Sequence, residues 1–139
     1  MGTIISWTDQ LAVGNDAIDD DHKHLFTLAN AIHAGLLQPG YDDSIRAVLD
    51  ELMTYAAAHF DREEALMTLS RFPHQAEHMV EHRLLRYHLR NLHNRYVGGD
   101  HDLADDVQLF IDRWLAQHIM TADMRLVHHM RAQSGQLAA

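Results

Sequence analysis

Apolar residues recur along the chain at alternating spacings of three and four, the repeat of a helix that buries one face. The first such stripe is His22, Leu25, Ala29, Ile32 and Leu36. The second is Ile45, Leu49, Leu52, Ala56, His59, Glu63 and Leu66. A third runs through His78, His82, Leu85, Leu89, Leu92 and Tyr96, and a fourth through Val107, Ile111, Trp114 and His118. The two-residue alternation of a half-buried strand is absent, as are internal repeats and low-complexity runs.

Breakers separate the stripes. Pro39-Gly40 ends the first, Phe72-Pro73 the second and Val97-Gly98-Gly99-Asp100 the third. Asp19 or Asp20 is expected to cap the first helix, Asp42 or Asp43 to open the second, and Asp100 or Asp102 to cap the fourth. Pro73 suits the first turn of the third. Residues 1–18 carry Trp7, Gly14 and Ile18 without a sustained period and read as an extended arm along the bundle, with Gly14 at a turn. Beyond about Ala132 the chain is expected to fray. The prediction is a single all-α domain over residues 1–139. It has an arm at 1–18, an up-down-up-down antiparallel four-helix bundle at 19–131 and a tail at 132–139.

The stripes hold residues that do not belong in an apolar core. His22 comes from the first helix, His59 and Glu63 from the second, His78 and His82 from the third, and His118 from the fourth. In an antiparallel bundle the starts of helices one and three share an end with the finishes of two and four, so all of these converge there. The fourth stripe then skips its regular positions, Thr121 and Ala122, and its next strong candidate is Asp123, before Val127 and Met130 resume the period. Residues five apart on a regular α-helix point roughly 140° from each other. A single wide turn between His118 and Asp123 would return both to one face, and such turns favour functional sites.

A lone histidine on an apolar face is more often a hydrogen-bonded core residue than a ligand. Five histidines and two carboxylates arriving from four helices are another matter, because that many unpaired buried polar groups would oppose folding. They exceed what one metal ion accepts. If Glu63 and Asp123 both bridge, with one solvent oxygen, a pair of six-coordinate ions is left with one open position. Spatial grouping assigns His78, His82 and His118 to one ion and His22 and His59 to the other, so the vacancy falls on the second. Leu25, Phe60, Trp114, Leu115 and Ile119 are core residues on the simplest reading, yet they neighbour the ligands closely enough to wall a dry pocket. The remaining histidines, 24, 33, 74, 88, 93, 101, 128 and 129, are read as surface residues.

Composition narrows the function by exclusion. A formal charge of −9 argues against a nucleic-acid groove or an anionic membrane surface. The absence of cysteine removes disulfides, thiolate metal sites and cysteine nucleophiles. No run is long and apolar enough to span a bilayer and no signal peptide is evident, so the cytoplasm is the expected compartment. Met1-Gly2-Thr3-Ile4-Ile5-Ser6 matches the loose myristoylation pattern, a weak signal by itself. The chain has no Glu-x-x-His, the motif of carboxylate-rich di-iron bundles, and its nearest match is Asp19-x-x-His22. Mostly neutral ligands stabilise high oxidation states poorly, which favours reversible uptake of a small ligand over generation of a strong oxidant.

Over nearly its whole length the sequence resembles the hemerythrins, specifically the bacterial hemerythrin-like domains. The residues that carry the likeness are Trp7, Gly14, Ile18-Asp19-x-x-His22-x-x-Leu25, His59-Phe60-x-x-Glu63-Glu64-x-x-Met67, Pro73, His78-x-x-Glu81-His82 and Trp114-Leu115-x-x-His118-Ile119-x-x-x-Asp123. Phe72 stands where the family often has Tyr, and Leu84-Leu85 where it often has an aromatic, with neither expected to touch a ligand. The resemblance implies a non-haem centre of two Fe ions, bridged by Glu63, Asp123 and an oxo or hydroxo group. It implies that O₂ binds end-on at the iron held by His22 and His59 and leaves unchanged. The function expected is O₂ storage, transport or sensing by a non-catalytic monomer, with an O₂-accepting protein as the partner class a carrier would need. An enzyme acting on peroxide or nitric oxide at the same centre is the alternative, and a metal-storage bundle the third reading. Within the opening motif, Glu64 is expected to face solvent and Met67 to pack in the core.

Overall fold

Asn15 begins the bundle: its side chain accepts a hydrogen bond from the backbone N–H of Ile18 at 3.1 Å and so caps helix α1, Asp16–Leu36. The computed structural model describes residues 7–38 and 43–138, and their side chains except those of residues 43, 114 and 135–138. Helix α2 spans Asp43–Leu69 and α3 spans Gln75–Val97. The fourth helix covers residues 104–138 in five consecutive pieces. It is α-helical at Ala104–Leu109, wide-turned (π) at Phe110–Leu115, α-helical at Ala116–His118, π again at Ile119–Asp123 and α-helical over Met124–Ala138. There is no strand among the described residues. Helix α1 packs on α2, α2 on α3, and the fourth helix on both α1 and α3, which closes the four-helix bundle.

The stripes face the core as their spacing requires. Leu25, Ala29, Ile32 and Leu36 of α1, Leu49, Leu52 and Ala56 of α2, Leu85, Leu89 and Leu92 of α3, and Val107 and Ile111 of the fourth helix are all buried. Leu66 is only half-buried, and Met67 beside it takes the interior position. With Phe72 and Leu126, Met67 forms a small apolar cluster of its own, separate from the main core, and half-buried Met130 packs against both. No described helix is long and apolar enough to cross a membrane.

Several boundaries differ from expectation. Helix α1 starts at Asp16, before Asp19 and Asp20, because Asn15 supplies the cap. Asp19 is used differently: its carboxylate accepts the N–H groups of Val13 at 2.8 Å and Gly14 at 3.3 Å. That contact folds the arm over the start of α1, with Gly14 in the left-handed region at φ +93°. The arm carries one 3₁₀ turn at Asp9–Leu11. Pro73 lies in the turn ahead of α3, whose N-cap position is His74. Neither Asp100 nor Asp102 caps the fourth helix; Asp100 is bound to Arg95 and to the N–H of Asp102. The stretch beyond Ala132 is helical through Ala138. Pro39-Gly40, Asp42 and the Met1–Ser6 pattern lie outside the described residues.

Candidate metal centre

Each helix delivers its polar side chains from the interior face. His22 sits in the second turn of α1, and His59 and Glu63 lie one turn apart near the end of α2, with His59 Nε2 3.2 Å from Glu63 Oε1. His78 and His82 hold the same relation on α3, their ring centres 4.6 Å apart. On the fourth helix the π turn at Ile119–Asp123 places the Asp123 carboxylate 3.1 Å from His118 Nε2, although the two are five residues apart. This is the wide turn that the gap in the stripe predicts.

The seven side chains meet in one buried cluster. Asp123 lies between His22 Nε2 at 3.0 Å and His78 Nε2 at 2.9 Å, and Glu63 Oε1 between His59 and His82, both at 3.2 Å. Two overlapping sets of ligand-type atoms, each within 4.8 Å, can be drawn: Glu63, His78, His82, His118 and Asp123, and His22, His59, Glu63 and Asp123. Both carboxylates belong to both sets, and the histidines divide three and two. Every member is buried.

The protein alone leaves this cluster unsatisfied. Both oxygens of Glu63 and of Asp123, with Nε2 of His22 and of His82, are buried without a hydrogen-bond partner. Their neighbours stand at ion-pair distance but without hydrogen-bond alignment. Buried carboxylates are costly unless a cation meets them. Imidazole nitrogens and carboxylate oxygens aimed at a common point are the donor set of a divalent transition metal, so the residues fit a pair of such ions.

A family model described as Hemerythrin HHE cation binding domain matches residues 13–129. The chain belongs to the hemerythrin family. It is 27% identical to the bacteriohemerythrin of Stenotrophomonas maltophilia over 97% of this chain and 87% of that one. It is 30% identical to the bacteriohemerythrin of Pseudomonas paraeruginosa over 94% and 84% respectively. Among solved structures, a wild-type hemerythrin crystal structure superimposes with a TM-score of 0.78 at 28% identity, covering 88% of this chain and 94% of that chain.

Around the hemerythrin cluster lies a ring of carboxylates that the stripes do not reveal. His59 Nδ1–H donates to Asp21 Oδ2 at 2.8 Å, His82 Nδ1–H to Glu64 Oε2 at 2.8 Å, and His118 Nδ1–H to Glu81 Oε1 at 3.4 Å. Giving the Nδ1 proton to a carboxylate fixes the tautomer and turns the Nε2 lone pair inward. The three contacts share one rule. Asp21 precedes His22 on α1 and serves α2; Glu64 follows Glu63 on α2 and serves α3; Glu81 precedes His82 on α3 and serves the fourth helix. The fourth helix does not return the favour to α1. Its cluster residues are flanked by Gln117, Ile119, Ala122 and Met124, and among the described residues neither His22 Nδ1 nor His78 Nδ1 has a hydrogen-bond partner. Glu64 is therefore a ring-holding residue, not the outward-facing one expected, and Arg86 approaches its Oε2 at 3.7 Å.

Charge in the metal-free hemerythrin cluster is divided unequally. Burial pushes Glu63 well above the ordinary carboxyl range, helped by the charge of Asp123. Burial would raise Asp123 too, but the His118 charge and contacts from His118, His22 and His78 outweigh it and hold it well below. Burial would lower His118, yet Asp123 and Glu81 bring it up to about 10. Burial lowers His59, and takes His82, also opposed by the charges of His118 and His78, down to about 2. One internal proton arrangement, an imidazolium at His118 against Asp123, thus stands where two cations fit.

Leu25, Phe60, Leu115 and Ile119, the candidate pocket residues, are all buried in the main core; the side chain of Trp114 lies outside the described residues. Phe60 stacks on His82 at 4.4 Å between ring centres and stands 5.8 Å from His59, so it borders both halves of the cluster. Phe72 does touch a candidate ligand, edge-on to His78 at 6.2 Å. His33, expected at the surface, is buried. Two hollows approach the cluster: about 240 Å³ beside His118, bordered by Leu84, Leu85 and Arg113, and about 350 Å³ reaching Glu63 between Ile18, Asp21 and Leu66.

Proposed function

We propose that the chain binds O₂ reversibly at a non-haem di-iron centre, for storage, transport or sensing of oxygen. His78, His82 and His118 would hold one ion and His22 and His59 the other, with Glu63 and Asp123 shared between them. The observation that carries this reading is the three-to-two division of imidazoles around two shared, buried carboxylates. With equal bridging, the two-histidine position is one donor short of its neighbour. Iron held there would supply the electrons that O₂ binding calls for.

The protein's own part is to bind, orient and exclude water. Asp21, Glu64 and Glu81 hold three imidazole rings with Nε2 inward, so the ligands are arranged before the ions arrive. Leu25, Phe60, Leu115 and Ile119 keep the surroundings apolar, which disfavours entry of water and escape of charged products. A ligand set dominated by neutral imidazole suits reversible binding and release.

Anaerobic reduction, loading with Fe(II) and exposure to air provide the test. The expected result is uptake of two equivalents of iron and a visible absorption that forms with O₂ and vanishes on deoxygenation. Steady consumption of peroxide or nitric oxide would favour the enzymatic reading in place of it. Iron uptake without response to any of the three would leave a metal-storage role.

A further inference from the structure

We propose that Asp21 is the positioning residue that sets how tightly the two-histidine position holds its ion. The proposal rests on the reading of the cluster as a two-metal centre and gives its two positions unequal support. His59 Nδ1–H donates to Asp21 Oδ2 at 2.8 Å, and three further bonds hold that carboxylate in place. Tyr55 Oη–H donates to Oδ1 at 2.7 Å, Arg62 Nε–H to Oδ2 at 3.0 Å, and Arg62 Nη2 reaches Oδ1 at 2.9 Å. Both oxygens are occupied and the side chain is 13% exposed, so the carboxylate has no freedom to turn away from His59. Tyr55 is itself wedged, with the His24 ring at 4.3 Å on one side and the Arg62 guanidinium 5.6 Å from its ring.

The other imidazole of this position, His22, has no hydrogen-bond partner at Nδ1 among the described residues. Among the described residues, the outer hydrogen bonding of the two-histidine position therefore passes through Asp21. The three-histidine position has two independent supports, Glu64 on His82 and Glu81 on His118. A charged acceptor at Nδ1 raises the donor strength of Nε2 and fixes the ring, and losing such a partner costs about 10- to 100-fold in metal affinity. At a position with one support that loss falls undivided. The three-histidine position fills first, and the Asp21–Tyr55–Arg62 group decides how readily the second ion joins it.

Anaerobic Fe(II) titration of the full chain against a chromophoric chelator tests this, with wild type, Asp21→Asn, Tyr55→Phe and Glu64→Gln compared and helicity checked by circular dichroism. Wild type takes two equivalents in two steps. Asp21→Asn weakens the second step about 10- to 100-fold and leaves the first unchanged; Tyr55→Phe weakens the same step by less, and Glu64→Gln weakens the first. An unchanged second step in Asp21→Asn overturns the proposal, and so does equal weakening of both steps, which is what general loosening of the fold produces. If Asp21→Asn does not fold, Tyr55→Phe, which keeps the carboxylate, decides by the same criterion. A wild type that takes up fewer than two equivalents removes the two-metal reading and this proposal with it.

Discussion

At the scale of single residues, the centre asks for conflicting things. Glu63 is fully buried with neither oxygen hydrogen-bonded, which is useful to a cation and costly without one. Glu63→Gln is expected to stabilise the metal-free protein, on the order of 1–3 kcal/mol, while reducing metal uptake to one equivalent or less. Thermal unfolding without metal, paired with elemental analysis after loading, checks both halves; a metal-free melting temperature below wild type would contradict it. Leu25, 1% exposed, packs in the main core just beyond His22. Leu25→Ala should cost about 2–5 kcal/mol of stability. In the iron-loaded protein it should also speed loss of bound O₂ to the oxidised state, and an unchanged autoxidation rate would show that Leu25 does not wall the pocket.

Titration of the metal-free protein has a definite sign. Burial holds His59 below its ordinary 6.5 and His82 at about 2, so the unfolded chain takes up protons below pH 6.5 that these folded rings refuse. Both terms remove stability as pH falls from about 7 to about 5. His118, lowered by burial but raised to about 10 by Asp123, contributes stability that is complete below pH 6.5 and fades as pH rises through 10. It changes little below pH 6.5. Glu63, held well above the ordinary carboxyl range by burial, has the opposite sign to the two rings and adds stability as pH falls. In Glu63→Gln, where that opposing group is gone, denaturant midpoints measured without metal should therefore fall between about pH 7 and about pH 5, and a rise would contradict the assignment of the two rings.

At the scale of the helices, the bundle and its seven interior polar residues are legible because spacing alone fixes which side of a helix faces inward. The His118–Asp123 wide turn is legible for the same reason, since five residues is the wrong interval for an α-helix. The other π segment, Phe110–Leu115, leaves no such trace: Val107, Ile111 and Trp114 are spaced four and three, as in any helix. Asp21, Glu64 and Glu81 are illegible for the opposite reason. They sit one residue off the interior stripe, where a carboxylate looks like part of a solvated face. Only the packing of a neighbouring helix brings an Nδ1 proton to them. The cap at Asn15 was masked by the aspartates that follow it.

A π turn carries one residue more than the α-helical turn it replaces. Deleting Met120, which is 42% exposed, should let the segment relax to α-helix while Val127 and Leu126 keep their inward register. The expected variant is as helical and at least as heat-stable as wild type when metal-free, but holds metal poorly because the Asp123 carboxylate is drawn along the axis. Poor folding with intact metal uptake would reverse that picture.

At the scale of the whole molecule, the cluster divides the apolar interior. On one side lies the main core; on the other, one turn beyond Glu63 and Asp123, the plug of Met67, Phe72 and Leu126. Between them stand charges that no protein group fully answers. A chelator should accordingly lower the melting temperature, by an amount that follows metal occupancy. The plug is more than an end cap, because the Phe72–His78 ring contact ties it to the cluster and Met130 ties it to the main core. Amide protons of residues 67–72 and 124–130 should exchange with solvent quickly in the metal-free chain, while those around Leu49 and Leu92 stay protected for as long as the bundle is folded. Metal would then act as a mortise pin, turning two separately opening blocks into one.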